Sequence, residues 1–460
     1  MNGPIALAGL ALCGSIAATS LCPAFAQEAS PPSRAAHFTF SAPDLELLEE
    51  ARQLDLKLEE KGLVYHDPQS TAYISAVAAR VAPPGPAPEN VVWNYRILRD
   101  PYPNAFALPN GSIYVHTGLL GLLQNEAQLA SVLAHEQTHV LNRHSYLEYR
   151  SIRKKSVGLH VLEAMATAGS SVVGGVAGSS IILVADVAPY IVVYTVFGYS
   201  RELEKEADVR AVGAVTDAGY SGDQIPAVFR LLDTGPEVHL ESEPRFYADH
   251  PKLQNRVAYT GELLKSVRNK PQNPEVGVQV YLEGTRQAVL HDINLQILSG
   301  RARSALAEAQ RLAAQDPASA ENQYWLGEAY RSLGPRTPVP QPAELEPDAK
   351  SHTRKMLKQM TIQEYFAALK AQPGGQAEWE TNNQEAEKSY QRALELDPAC
   401  AKCYRGIGLL YESMGSAPQA IEAFKKYLDL APSAPDRIQI SRHVERLEQA
   451  PAGAKQAGGP

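Results

Sequence analysis

Ala127-Gln128-Leu129-Ala130-Ser131-Val132-Leu133-Ala134-His135-Glu136-Gln137-Thr138-His139-Val140-Leu141-Asn142-Arg143 is the stretch from which the rest of the chain is read. Leu129, Val132, Leu133 and Val140 recur at helical spacing, so the segment is a helix with one buried face. His135, Glu136 and His139 interrupt that pattern, and polar groups on a core-leaning helix need a reason. Two His four residues apart lie within about 40° of one another around the axis and one turn along it. Both imidazoles therefore reach one metal ion. Glu136, rotated by about 100° from His135, reaches water beside that ion without being a ligand. A catalytic zinc takes three protein ligands and keeps a fourth position open, which predicts a third ligand elsewhere. The extended form of the motif would need Gly at 142 and His at 145, but Asn142 and Ser145 stand there. His144 is one residue off and is not taken as a ligand.

The third ligand is sought on a later helix, Ser200-Arg201-Glu202-Leu203-Glu204-Lys205-Glu206-Ala207-Asp208, where Glu204 and Asp208 share a face four residues apart. H-E-x-x-H followed at this distance by E-x-x-x-D resembles the zinc metallopeptidases of family M48, which include the prenyl-protein endoproteases and the bacterial heat-shock membrane proteases. The resemblance implies that His135, His139 and Glu204 bind Zn2+ and that Glu136 is the general base and acid. It further implies that Asp208 holds a ligating His by its other ring nitrogen, which fixes the tautomer. Arg201 is counted as a further supporting residue, a partner for Glu202 or Glu206. Glu202 and Glu206 read as a solvated face of the same helix.

Two flanking segments extend the likeness. Asn104-Ala105-Phe106-Ala107-Leu108-Pro109, with Gly111 and the strand to His116, resembles the family's edge-strand region, which receives an extended substrate by main-chain pairing. Asn104 is the candidate for gripping the substrate backbone. His250-Pro251 with Arg256 resembles the family's later H-P motif, whose His faces the metal cleft and either stabilises the oxyanion or covers the zinc at rest. The reaction so implied is peptide-bond hydrolysis, because zinc activates water and polarises a carbonyl. No G-x-S-x-G elbow is present to suggest a nucleophilic serine instead.

Outward from this region, 460 residues with 44% hydrophobic and 20% charged side chains make more than one domain. Lys plus Arg number 43 against 51 for Asp plus Glu, a net charge of -8, and no basic block occurs, which argues against a nucleic-acid partner. Residues 1–26 lack charge, carry an apolar run from Ile5 to Leu21 and end in Ala24-Phe25-Ala26, the form of a cleavable signal peptide. Residues 27–42 read as a disordered leader. A helix follows from Pro43 to Lys61, then another over Thr71–Val81, a strand over Val91–Leu98 and a hairpin turning at Pro109-Asn110-Gly111. The metallopeptidase domain is placed at 43–270. Within it, 156–199 is mostly apolar yet rich in Gly and Ser, and reads as a buried or lid-forming segment or as a membrane-contacting one.

The last third is repetitive. Tyr404, Ile407, Gly408, Tyr411, Ala420, Phe424 and Pro432 have the spacing of a tetratricopeptide repeat. Leu326, Gly327 and Tyr330 repeat its first half, and Ala386, Tyr390, Ala393 and Pro398 its second. Small residues such as Gly408 and Ala420 let paired helices approach, while Tyr411 and Phe424 fill the gaps between units. The repeats are placed at 286–334 and 383–449, separated by a Pro-rich insertion at 335–382 and followed by a disordered tail at 450–460. Cys400-Ala401-Lys402-Cys403 is C-x-x-C and reads as a disulfide, a redox pair or packing cysteines.

The expected fold is mainly α: a zincin-like α+β domain with a small β-sheet, followed by an α-solenoid of tetratricopeptide repeats. With the repeats, the chain is most similar to the exported branch of the family that serves outer-membrane protein quality control. The expectation is a periplasmic or otherwise exported zinc endopeptidase with protein or peptide substrates. Its repeats would recruit clients or meet the outer-membrane assembly machinery, with peripheral membrane contact through 156–199. The alternative is a repeat-based periplasmic chaperone or assembly scaffold with a latent zinc domain. An intact Glu136 separates the two, since a scaffold has no need of it.

Overall fold

A computed structural model describes residues 39–83, 87–154, 199–234, 253–268, 270–333 and 375–449. The stretch expected to be a signal peptide, most of the expected leader, residues 156–198, His250, most of the Pro-rich insertion and the tail lie outside the described residues.

The first helix, α1, runs Ala42–Glu60 and begins on a capping box in which Ser41 and Asp44 satisfy one another's backbone and side-chain groups. After a short strand β1 (Val64–Tyr65), α2 (Pro68–Val81) starts three residues earlier than its apolar spacing suggests. The Asp67 side chain accepts from the amides of Gln69 and Ser70, and Pro68 fits the first turn. Strands β2 (Asn94–Leu98), β3 (Ala105–Ala107) and β4 (Ser112–His116) complete a sheet of order β1-β2-β4-β3. Val91 and Val92 precede the strand expected to include them; the Val92 amide is tied to the carbonyl of Asn110 in the hairpin loop.

β3 and β4 form the hairpin, pairing antiparallel with Phe106 opposite Tyr114, and β2 runs parallel to β4. Gly111 turns the hairpin at φ 97°, and a Cβ there would lie 2.6 Å from the Val92 carbonyl oxygen, so both conformation and space demand glycine. β3 is the outer strand of this sheet.

Short α3 (Thr117–Leu122) leads into α4 (Glu126–Leu141), the helix of the quoted stretch, which is capped by Asn125 accepting from the amide of Gln128. Its apolar residues Leu129, Leu133 and Val140 join Ile74, Val77, Ile97, Ile113 and Val115 in one core between helices and sheet. Next come α5 (His144–Lys154), α6 (Arg201–Asp217), α7 (Gln224–Thr234) and α8 (Leu253–Ser266). α6 packs along α4 through Ala211, Val212 and Val215, so two polar-bearing helices lie side by side.

The boundary expected between 270 and 286 is crossed by a single helix, α9 (Val278–Leu298). It packs on α2 and α3, and buried Tyr281 donates to the carbonyl of Leu120. The core of the first domain therefore continues into α10 (Ala302–Gln315) through Ala305, Ala309 and Leu312.

Repeat-type packing follows in α11 (Ala320–Leu333), α12 (Gly375–Leu396), α13 (Ala401–Ser413) and α14 (Ala417–Leu430), closed by α15 (Arg437–Gln449). A Cβ at Gly408 would stand 2.4 Å from the Phe424 ring, and one at Gly327 would meet Tyr390 at 2.8 Å, so the glycines seat the aromatic rings of the neighbouring helix. Cys400 and Cys403 are joined by a disulfide at the start of α13. Among the described residues, no helix is long and apolar enough to cross a membrane.

Candidate metal centre

Helical spacing puts His135 and His139 on successive turns of α4, and the packing of α6 brings Glu204 up to them. The Nε2 atoms of His135 and His139 face each other at 2.9 Å. Glu204 lies 3.5 Å from the first through Oε2 and 3.8 Å from the second through Oε1. One donor atom from each residue falls within 4.8 Å of the others. Two imidazole nitrogens and a carboxylate oxygen make the donor set that zinc prefers, and two nitrogens this close otherwise need a proton between them. The set fits a divalent ion with three protein ligands.

Asp208 sits one turn beyond Glu204. Its Oδ1 is 2.9 Å from Nδ1 of His135, so this imidazole is held from behind by a carboxylate. Asp208 is in turn gripped by Arg256 of α8, whose Nε and Nη2 donate at 2.9 and 2.6 Å, and by the hydroxyl of Tyr259. Nη1 of Arg256 also lies 3.4 Å from Glu204, and the guanidinium lies over the Phe229 ring, 4.2 Å from its centre. Asp208 and Arg256 are each almost fully buried.

These neighbours set the charges. Burial disfavours the charged form of His135, but the hydrogen bonds it donates to Asp208 and Glu204 outweigh it and push its pKa up to about 10. Burial would raise Asp208, yet the Arg256 charge and the His135 hydrogen bond hold it below the ordinary carboxylate range. Glu136 is buried beneath β3, hydrogen-bonded by the backbone of Ala107, and burial pushes it up to about 8 against the opposing charge of His135. In the metal-free protein Glu136 therefore holds a proton at neutral pH, and a divalent cation beside it would draw it back toward the carboxylate.

A cleft of ≈ 720 Å³ opens over these groups. One wall is β3 with Asn104, Ala105 and Ala107; the other is apolar, from Val132, Ile225, Val228, Phe229 and Leu232. Asn104 is 5% exposed and its Nδ2 has no hydrogen-bond partner among the described residues. Along β3, the amide of His116 bonds the carbonyl of Asn104 and the amide of Leu108 bonds the carbonyl of Ser112. Alternation then turns the main-chain groups of Ala105 and Ala107 away from β4 and toward the cleft.

Arg201 does not join this group: it is exposed on the first turn of α6, and the guanidinium bracing the carboxylates is Arg256, which comes from another element. Glu206 departs from the solvated-face reading. Its Oε1 accepts from Asn142 at 2.6 Å, and its Oε2 lies 3.5 Å from Nε2 of His144. His144, passed over as a ligand, is fully buried with Nδ1 2.9 Å from Nδ1 of His139. Tyr199 stacks on the other side of the cluster, its ring 4.1 Å from that of His139 and its hydroxyl 2.9 Å from Ser145 Oγ. Thus Asn142 and Ser145, at the positions the extended motif reserves for Gly and His, tie down groups around the centre. Spacing alone carries no signal for His144, Glu206 or Tyr199, because each contact joins different helices or a helix to a preceding loop.

Residues 68–263 match peptidase family M48, and residues 380–435 match the tetratricopeptide repeat. The mitochondrial metalloendopeptidase OMA1 of Schizosaccharomyces pombe is 26% identical over 207 residues, which cover 45% of this chain and 56% of that protein. The putative beta-barrel assembly-enhancing protease of Vibrio cholerae is 29% identical over 206 residues, covering 43% of this chain and 40% of the relative. The beta-barrel assembly-enhancing protease of Escherichia coli K12 is 28% identical over 203 residues, covering 42% and 38%. The chain thus spans about half or less of the length of these curated relatives.

Proposed function

We propose, from the premise that residues 68–263 form a peptidase family M48 domain, that this protein is a zinc-dependent endopeptidase acting on extended stretches of protein substrates. The observation that carries the reading is the convergence of His135, His139 and Glu204 on one point at the floor of a cleft, with Glu136 buried beside it.

His135, His139 and Glu204 would hold the ion. Bound zinc supplies Lewis acidity toward a carbonyl and toward water. Glu136 takes the proton from the attacking water and later delivers it to the leaving amine, a role open to it once a divalent cation beside it has drawn it back to the carboxylate. Asp208 and Arg256 keep His135 aligned. The outward main-chain groups of Ala105 and the carbonyl of Ala107, whose amide is given to Glu136, pair with an extended substrate strand, and Asn104 donates its Nδ2 hydrogens to a substrate carbonyl. The apolar wall of Val132, Ile225, Val228, Phe229 and Leu232 favours an apolar substrate side chain next to the scissile bond.

The names of the Vibrio and Escherichia relatives support a place in envelope protein quality control, and the matched repeats support recruitment of protein clients. A digest of a peptide library by wild type and Glu136→Gln tests the activity. Wild type should cut with an apolar preference beside the scissile bond, and Glu136→Gln should be slower by about 10²–10⁴-fold. Equal cutting by both would refute the catalytic reading. Trapping of clients by full-length Glu136→Gln carrying photocrosslinkers on α13 and α14 or, separately, along the cleft tests recruitment; crosslinks from the cleft probes alone would count against it.

A further inference from the structure

We propose that His144 and Glu206 select the tautomer of His139, making His144 a positioning residue that keeps hydrogen on Nδ1 of His139 and leaves its Nε2 lone pair for the ion. This rests on the metal centre proposed above.

The arrangement starts with the backbone. α4 ends at Leu141, and Arg143 takes a left-handed conformation, φ 56°, which a residue with a side chain adopts at some cost. Its guanidinium lies 4.8 Å from the ring centre of Phe40, a contact that helps hold the turn. α5 begins at His144 at once, and the reversal brings that imidazole back against His139 instead of leaving it on the next turn of α4.

A contact between two Nδ1 atoms at 2.9 Å holds one hydrogen, and which ring owns it decides the chemistry. If His144 owned it, neutral His139 would carry its own hydrogen on Nε2, the atom that faces His135 and Glu204. Neutral His144 would then present a bare Nε2 lone pair to the Glu206 carboxylate 3.5 Å away. If His139 owns it, Nε2 of His139 is free to ligate, and His144 carries hydrogen on the nitrogen that faces Glu206. Only the second assignment places a hydrogen between His144 and the carboxylate. Glu206 is not free to swing aside, because Asn142 donates to its other oxygen at 2.6 Å.

The two ligating imidazoles are therefore supported differently. A carboxylate, Asp208, stands directly behind His135, whereas an imidazole stands between His139 and its carboxylate. Both devices fix the ring that binds the ion.

The test is zinc affinity of the full-length protein by chelator competition, together with the visible absorption of the Co2+-loaded form. His144→Phe keeps the ring and removes the acceptor; His144→Asn restores an acceptor close to the Nδ1 position. Zinc affinity should fall roughly 10–100-fold in His144→Phe, with a changed cobalt spectrum, and His144→Asn should recover to within about threefold of wild type. Glu206→Gln, altered at a partly exposed side chain, should fall about three- to tenfold. Wild-type affinity and spectrum in His144→Phe would overturn the proposal, as would equal losses in His144→Phe and His144→Asn, which would mark a packing role. Should His144→Phe not fold, Glu206→Gln decides, and unchanged affinity there overturns it. Failure of wild type itself to bind zinc would instead refute the metal centre.

Discussion

Two clusters of buried charge lie in the same helical framework and are built to opposite ends. At the metal centre, His135, His139 and Glu204 point their lone pairs at one place on the floor of an open cleft. Where α9 and α10 meet the sheet domain, buried Asp292 and Glu308 stand among groups that already interleave them. Gln296 donates to Asp292 at 2.9 Å and also to the carbonyl of Pro101, while Arg301 donates to Gln296 and stacks on Tyr102. Burial pushes Asp292 up to about 6 and, with the Asp292 charge, raises Glu308 well above its ordinary value. The first cluster has the donor set to be completed by a divalent ion, the second by a proton. Buried acids alone therefore do not mark a metal site; convergence of lone pairs on accessible space does.

The comparison breaks most completely at Glu204. Glu204→Ala should remove bound zinc in elemental analysis and lower cleavage by roughly 10³-fold or more, whereas Glu308→Gln should leave zinc content untouched. Retained stoichiometry in Glu204→Ala would hand the ligand role to another carboxylate.

Arg256→Met should cost the metal-free protein about 3–5 kcal/mol in urea unfolding, because it strands Asp208 and Glu204 without their cation. Arg301→Met should cost markedly less, since the carboxyls beside it can take protons. Equal losses would erase the distinction between the clusters.

The proton-completed cluster has a pH signature. A carboxyl raised in the folded state contributes stability that is present below its unfolded pKa of about 4 and is lost as pH rises through its folded value near 6. The difference in unfolding free energy between wild type and Asp292→Asn should therefore shift by on the order of 2 kcal/mol between pH 4 and 7, in the direction of relative loss by wild type. A difference independent of pH would contradict the shared proton.

His135 gives the smallest effect and the opposite partner. Its raised pKa, about 10, means that its proton stabilises the metal-free fold fully below about 6.5 and is lost as pH rises through 10. Zinc must displace that proton and draws off the one on Glu136 as well, so binding near pH 7 should release protons and weaken by about tenfold or more per unit of acidification. Calorimetry in buffers of different ionisation heat counts the protons, and Glu136→Gln isolates the one from His135; no buffer dependence in that variant would show that His135 binds already neutral.

How much of this was legible depends on whether a contact stays within one helix. His135, Glu136 and His139, and likewise Glu204 and Asp208, stand at helical spacings that announce a shared face, and the small residues Gly327 and Gly408 announce close helix packing. Arg256 was visible through its place after His250-Pro251, although its grip on Asp208 was not. His144 stays outside the ligand set as expected, but its place behind His139 was not visible, because it follows a left-handed turn at Arg143, which no periodicity encodes. Glu206 looked solvated because helical spacing shows the face but not the Asn142 side chain waiting on the neighbouring helix end. Asp292 and Glu308 carry no signal in the sequence, since their meeting depends on how α9 and α10 pack.

The most direct test of the central claim is zinc X-ray absorption on the full-length protein and on His139→Ala. The account predicts a shell of nitrogen and oxygen at about 2.0–2.2 Å with scattering from two imidazoles in wild type, reduced to one in any zinc retained by His139→Ala. A sulfur shell, or the same imidazole scattering in both proteins, would contradict it.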